Sequence, residues 1–172
     1  MQESDHGRWI RGVVEQYESA LLRYAAHLTG NTELGRDVVQ DTFVKLCQQT
    51  SATLDGHLTQ WLYTVCRNRA VDLCRKERRM KTMTAVQAEE QPCAATTQVA
   101  VLEKQESADL VLRLMDRLSD NQREVVRLKF QSGLSYREIA AVTQLSVSNV
   151  GVLLHTAIKK LREELGDGEI NN

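Results

Sequence analysis

At 172 residues the chain has room for one domain or two small ones, and 42% hydrophobic with 26% charged residues is ordinary for a globular protein. One proline, nine glycines and long segments with an apolar period near 3.6 exclude collagenous and low-complexity classes and point to an all-helical protein. No apolar run approaches the roughly 18 residues that span a bilayer, and the start MQESDHGRWIRG lacks the apolar stretch of a secretory signal, so a cytoplasmic protein without membrane insertion is expected.

In chain order, a first helix is expected from residues 7–9 to 28, with Val13, Val14, Tyr17, Leu21, Tyr24, Ala25 and Leu28 as its apolar face and Gly30 as a left-handed cap. Thr32 is placed to cap a second helix over 33–49, burying Leu34, Val38, Val39, Phe43, Leu46 and Cys47. Asp37, Gln40 and Asp41 then share another side of that helix as an acidic and amide patch. Residues 50–56, TSATLDG, are rich in side chains that bond their own backbone and read as a loop. A long helix follows to Arg79, with Leu58, Trp61, Leu62, Val65, Cys66 and Leu73 inward.

Net charge is only −1, yet its distribution is segmented. Residues 61–81 hold Arg67, Arg69, Arg75, Lys76, Arg78, Arg79 and Lys81 against Asp72 and Glu77. Residues 82–109 reverse the sign, with Glu89, Glu90, Glu103, Glu106 and Asp109 facing only Lys104. The basic helix is either a solvated face or a phosphate-binding one, and the nearby Trp61 and Tyr63 favour the second. Residues 81–105 contain the only proline, Pro92, and no sustained apolar stripe, which reads as a flexible linker able to reach roughly 80 Å.

Beyond it, Leu110, Val111, Leu114, Met115 and Leu118 mark a helix over 107–118. Ser119 with Gln122 forms a capping box, and the helix behind it carries Val125, Val126, Leu128 and Phe130 until Gly133 stops it. Ser135 with Glu138 is a second box, opening a short helix at Tyr136 that ends near Thr143. Ser146 then caps a last helix, in which Val150, Leu153, Leu154, Ala157, Ile158 and Leu161 recur at helical spacing until Gly166. The layout is that of a helix-turn-helix, with an ordinary helical hairpin as the alternative.

Cys47, Cys66 and Cys74 sit inside apolar helical patterns and, with Cys93, form no C-x-x-C pair. His6, His27, His57 and His155 are scattered without zinc-ligand partners, so neither a metal nor a cofactor is expected. There is no glycine-rich phosphate loop and no nucleophile beside a base, which argues against an enzyme.

Three motifs stand in order: RDVVQDTFVKL at 36–46, WLYTVCRNRAVDLCRKERR at 61–79, and LSDNQREVVRLKFQSGLSYREIAAVTQLSVSNV at 118–150. Together they resemble the bacterial RNA polymerase sigma factors of the extracytoplasmic-function group, small sigma-70 relatives that keep only regions 2 and 4. The resemblance implies an all-α protein of two small helical domains: region 2 over 8–80, a linker over 81–106, a region 4 helix-turn-helix over 107–166, and a tail over 167–172. It also implies that the chain binds core RNA polymerase and promoter DNA and helps open the duplex.

Asp37, Gln40, Asp41 and Phe43 match the family motif that docks on the clamp helices of the polymerase, Phe43 being the buried support. The loop with Asp55 and His57 matches the segment that captures a base flipped from the minus-ten element. Arg67, Asn68, Asp72, Arg75, Lys76 and Arg79 match the helix that meets minus-ten DNA, while Trp61 is read as core rather than as a strand-separating wedge. For the minus-thirty-five element the candidates are Arg137, Ser146, Ser148, Asn149, Val152, His155, Thr156 and Lys159. Here the chain departs from many members, because Gly151, Val152 and Leu153 stand where basic residues are common. An anti-sigma factor, the group's common inhibitor, is a candidate further partner, and the free chain is expected to be a monomer. The second reading is a free-standing helix-turn-helix regulator, which leaves the 37–43 motif and the basic helix unexplained.

Overall fold

The computed structural model describes residues 5–84 and 114–168, and its contacts divide the chain into two compact units, Met1–Ala95 and Thr96–Asn172. The fold is all-α, with no strand among the described residues. Most of the expected linker, residues 107–113 of the helix after it, Cys93 and the end of the tail lie outside the described residues.

The first unit is a three-helix bundle of α1 (Asp5–Thr29), α2 (Thr32–Leu46) and α3 (Leu58–Thr84), each packed on the other two. Its core is Val13, Leu21, Tyr24 and Ala25 from α1, Val38, Val39 and Leu46 from α2, and Leu62, Tyr63, Cys66 and Ala70 from α3. Tyr24 and Tyr63 meet edge to face at 5.1 Å between ring centroids, a favoured arrangement of aromatic quadrupoles. Gly30, at φ +65°, turns the chain between α1 and α2. The cap of α2 is Asn31 and not Thr32: its side-chain oxygen accepts from the backbone N–H of Glu33 and Leu34. An Asn amide reaches the first free N–H groups as well as a threonine does, and without a β-branch.

Close approach sets how α2 lies on α1. A Cβ at Gly35 would stand 2.7 Å from the Ala26 nitrogen and 2.9 Å from its Cα, so only glycine fits. With Gly35, Val38, Val39, Thr42 and Leu46 inward, Cys47 falls at the helix C-cap and is exposed, contrary to its expected place in the core. Cys66 does behave as a core hydrophobe, burial pushing its thiol up to about 12. Tyr63, one of the two aromatics whose nearness favoured phosphate contact for the basic helix, is 1% exposed and belongs to the core, while Trp61 is half-buried.

In the second unit, residues 114–116 are helical and Met115 and Leu118 are buried. There follow α4 (Asp120–Phe130), α5 (Tyr136–Thr143) and α6 (Val147–Gly168), all three in mutual contact. Both capping boxes form as expected, Ser119 with Gln122 and Ser135 with Glu138. Gly133, at φ +70°, and Gln144, at φ 61°, make the two turns, and the Ser146 hydroxyl accepts from the Asn149 N–H at 3.1 Å to start α6. Leu134, Ile139, Val142, Val150, Leu154 and Ala157 close the core with Val125 and Leu128. Phe130 departs from its expected place on the apolar face: the helix ends there and the side chain is 64% exposed. No single helix among the described residues is long and apolar enough to cross a membrane.

Gly35→Ala should lower unfolding stability by about 1–3 kcal/mol, the range for forcing an extra methyl into packed backbone. Gly12→Ala, with nothing within 4 Å of its Cβ, should raise it by about 0.5–1 kcal/mol, and urea denaturation distinguishes the two.

The second box supplies a pH signature. Hydrogen bonds to the Ser135 side chain and backbone hold the Glu138 carboxyl below its usual value. A depressed folded pKa contributes stability above the unfolded carboxylate's value and loses it as pH falls through the folded one. Ser135→Ala should cost about 1 kcal/mol near neutrality. The melting-temperature gap between wild type and Glu138→Ala should begin to narrow as pH falls below about 4 and go on narrowing through the depressed folded value.

Candidate functional site

Burial of the inward row of α2 leaves the opposite side exposed. Asp37 and Gln40 are exposed one turn apart, and Asp41 beside them is half-exposed. Asp41 is not a free anion: its Oδ2 accepts from Arg69 Nε of α3 at 2.5 Å, across the seam between the two helices. Phe43 is half-buried, so it props the helix less deeply than expected. Val44, 55% exposed and one turn beyond Gln40, joins this face and was not singled out in the sequence. Its position four residues after Gln40 and seven after Asp37 is the signal that marks it.

Between α2 and α3 the turn-rich segment 47–57 is pinned by Leu54, which is 2% exposed. Gly56, at φ +73°, turns the chain so that Asp55 and His57 both face solvent, and the His57 Nδ1 lies 3.0 Å from the Asp55 carbonyl oxygen. Successive helical turns of α3 then present Asn68, Asp72, Arg75 and Arg79, with Lys76 beside them, all exposed, and Arg67 half-exposed. The cations crowd the C-terminal half of the row and the polar groups its beginning. Such a strip attracts a polyanion along its length and offers an amide where a base edge could be read.

In the second unit the outward row of α6 is Ser148, Val152, His155 and Lys159, all exposed and opposite buried Val150, Leu154 and Ala157. Asn149 flanks this row and is exposed, as is Arg137 on α5. Two of the expected readers are engaged internally. The Ser146 hydroxyl caps the helix, and the half-buried Thr156 hydroxyl donates to the Val152 carbonyl at 2.9 Å while accepting from Gln122 Nε2 at 2.9 Å. Lys159 lies 3.9 Å from Glu163, a loose exposed pair that a phosphate would displace readily. Val147 and Tyr136, 45% and 43% exposed, complete the apolar part of this surface, and Lys129 Nζ stands 5.5 Å from the Tyr136 ring centroid.

Among the described residues no group of three or more His, Cys, Asp or Glu side chains gathers as a metal site would require.

Comparison with known proteins assigns both units. Residues 13–80 match the model of sigma-70 region 2, and residues 108–161 that of sigma-70 region 4. The chain is 27% identical to the RNA polymerase sigma factor YlaC of Bacillus subtilis, over 93% of this chain and 94% of that protein. It is 29% identical to the ECF RNA polymerase sigma factor SigL of Mycobacterium tuberculosis, over 91% of this chain and 90% of the relative. Among solved structures it resembles the sigma factor RpoE of a complex with the anti-sigma factor NepR from Bartonella quintana, at a TM-score of 0.68 and 26% identity, covering 91% of this chain and 96% of that one. The chain belongs to the sigma-70 family and, within it, to the extracytoplasmic-function group of RNA polymerase sigma factors.

Proposed function

We propose that this sigma factor docks on core polymerase through the outer face of α2, meets the minus-ten element with α3 and the 47–57 turn, and meets the minus-thirty-five element with α6. The observation that carries this reading is the pairing, on one small bundle, of an acidic and amide face at Asp37 and Gln40 with a cationic strip at Arg75, Lys76 and Arg79. A basic partner suits the first and a nucleic acid the second, and complementarity of this kind steers both encounters. Promoter opening then follows from binding energy: an extruded base costs a few kcal/mol, which contacts around Asp55 and His57 and along α3 must offset. The protein needs no cofactor or metal and makes no covalent bond, so it is an initiation factor and not an enzyme.

The division into a polymerase-binding domain over 8–80 and an upstream-element domain over 107–166 supports grasping two separated promoter elements at once. A free-standing regulator would leave region 2 without a role. The working place of such a factor is the cytoplasm, where core polymerase and promoters are, and in the free state we take it as a monomer. The RpoE relative bound to NepR supports an anti-sigma factor as a further partner. Such an inhibitor would act by covering the α2 face or the α6 row.

Asp37→Ala combined with Gln40→Ala should weaken binding to core polymerase about tenfold or more, roughly 1.4 kcal/mol, with the melting temperature unchanged. Wild-type affinity in the double variant would remove α2 from the interface. Arg75→Ala with Arg79→Ala should flatten the dependence of log K on log salt for promoter binding by the holoenzyme, by about 1.4–1.8 for two lost phosphate contacts. An unaltered slope would return α3 to an ordinary solvated face.

A further inference from the structure

The first two turns of α6, residues 147–154, carry no charged side chain. At the centre of their outward row stands Val152, 60% exposed, one turn after Ser148 and one turn before His155. Next to it, Gly151 is a helical glycine that packing does not require: a Cβ there would meet only the Tyr136 ring edge, at 3.8 Å, an ordinary contact. Glycine inside a helix costs about 1 kcal/mol relative to alanine, so its presence at a position with room for a methyl points outward. What it provides is bare backbone beside Val152, so that the helix can seat closely against whatever lies across from it. Cations flank the neutral start of the helix, at Arg137 and Lys159 and at Lys129 over the Tyr136 ring, where they can grip phosphates.

A branched apolar side chain on the base-facing side of a recognition helix has one apolar partner in the major groove, the 5-methyl group of thymine. We propose that Val152 is a specificity-determining residue of this sigma factor, packing on a thymine methyl of the upstream promoter element, with Gly151 permitting the close approach. This rests on the reading of region 4 as the upstream-element domain. Specificity here comes from burying a methyl group rather than from a charged fork on guanine.

The test uses holoenzyme and the genomic fragment that it retains most strongly, with each thymine of the upstream element replaced in turn by deoxyuridine, which removes only the methyl. One position should show about a fourfold loss of affinity, the value of one buried methyl-sized group. In Val152→Ala that same replacement should change affinity by less than about 1.5-fold. Gly151→Ala should melt no lower than wild type yet bind the fragment several-fold more weakly. Equal affinity for thymine and uracil at every position, or an upstream element without an A·T pair, overturns the proposal. So does a Val152→Ala variant that loses affinity for core polymerase while keeping the thymine preference. Failure of the underlying reading looks different: the holoenzyme then retains no fragment in preference to bulk DNA.

Discussion

Much of this protein's chemistry follows from how close α2 comes to α1. At Gly35 the two helices approach so nearly that a single methyl would collide with the backbone of Ala26. That contact fixes the rotation of α2 about its own axis, because a helix held by its glycine has only one row left to bury. Val38, Val39, Thr42 and Leu46 therefore go inward, and Asp37, Gln40 and Val44 go outward. The face proposed for polymerase is thus a by-product of core geometry. The Asp41–Arg69 pair extends the same logic to α3, tying the helix with the acidic face to the helix with the cationic strip.

The second unit reaches a comparable definition by other means. Its helix α5 has eight residues, too short to persist alone in water, and depends on its cap and on the burial of Ile139, Ala140 and Val142. The capping box starts it at a defined residue, and the left-handed Gln144 ends it. Ser146 then sets the phase of α6, whose burial of Val150, Leu154 and Ala157 turns Ser148, Val152, His155 and Lys159 to the outside. Charge is divided unequally between the units' presented helices. The α3 strip is suited to holding phosphates strongly, whereas the start of α6 is neutral and suited to selecting shape and methyl groups.

Features governed by local chemistry were legible in the sequence. Two capping boxes, two glycine turns and the loop at 50–56 rest on hydrogen bonds within a few residues, so residue identity and spacing suffice to place them. The outward set on α2 was legible for the same reason, since helical period alone separates Asp37 and Gln40 from Val38 and Val39. What escaped depended on tertiary detail. Periodicity could not tell that α2 would stop at Leu46 and leave Cys47 exposed, or that Phe130 would fall at the last residue of its helix and face solvent. Tyr63 lent weight to the phosphate-binding reading because an aromatic beside basic residues suggests nucleic acid, whereas the ring packs inward against Tyr24 of another helix. The engagement of Asp41 by Arg69 joins residues 28 apart in sequence, which no local pattern announces.

A two-region sigma factor must confer on a polymerase something that neither partner has alone. The most direct measurement is transcription in vitro by core enzyme on genomic fragments, with and without the purified chain, alongside DNA binding by the chain by itself. New transcripts should appear only when both are present and should start a constant distance downstream of a two-part element. Promoter binding should likewise need core polymerase. Specific DNA binding by the chain alone, with no association with core enzyme and no new transcript, would contradict this.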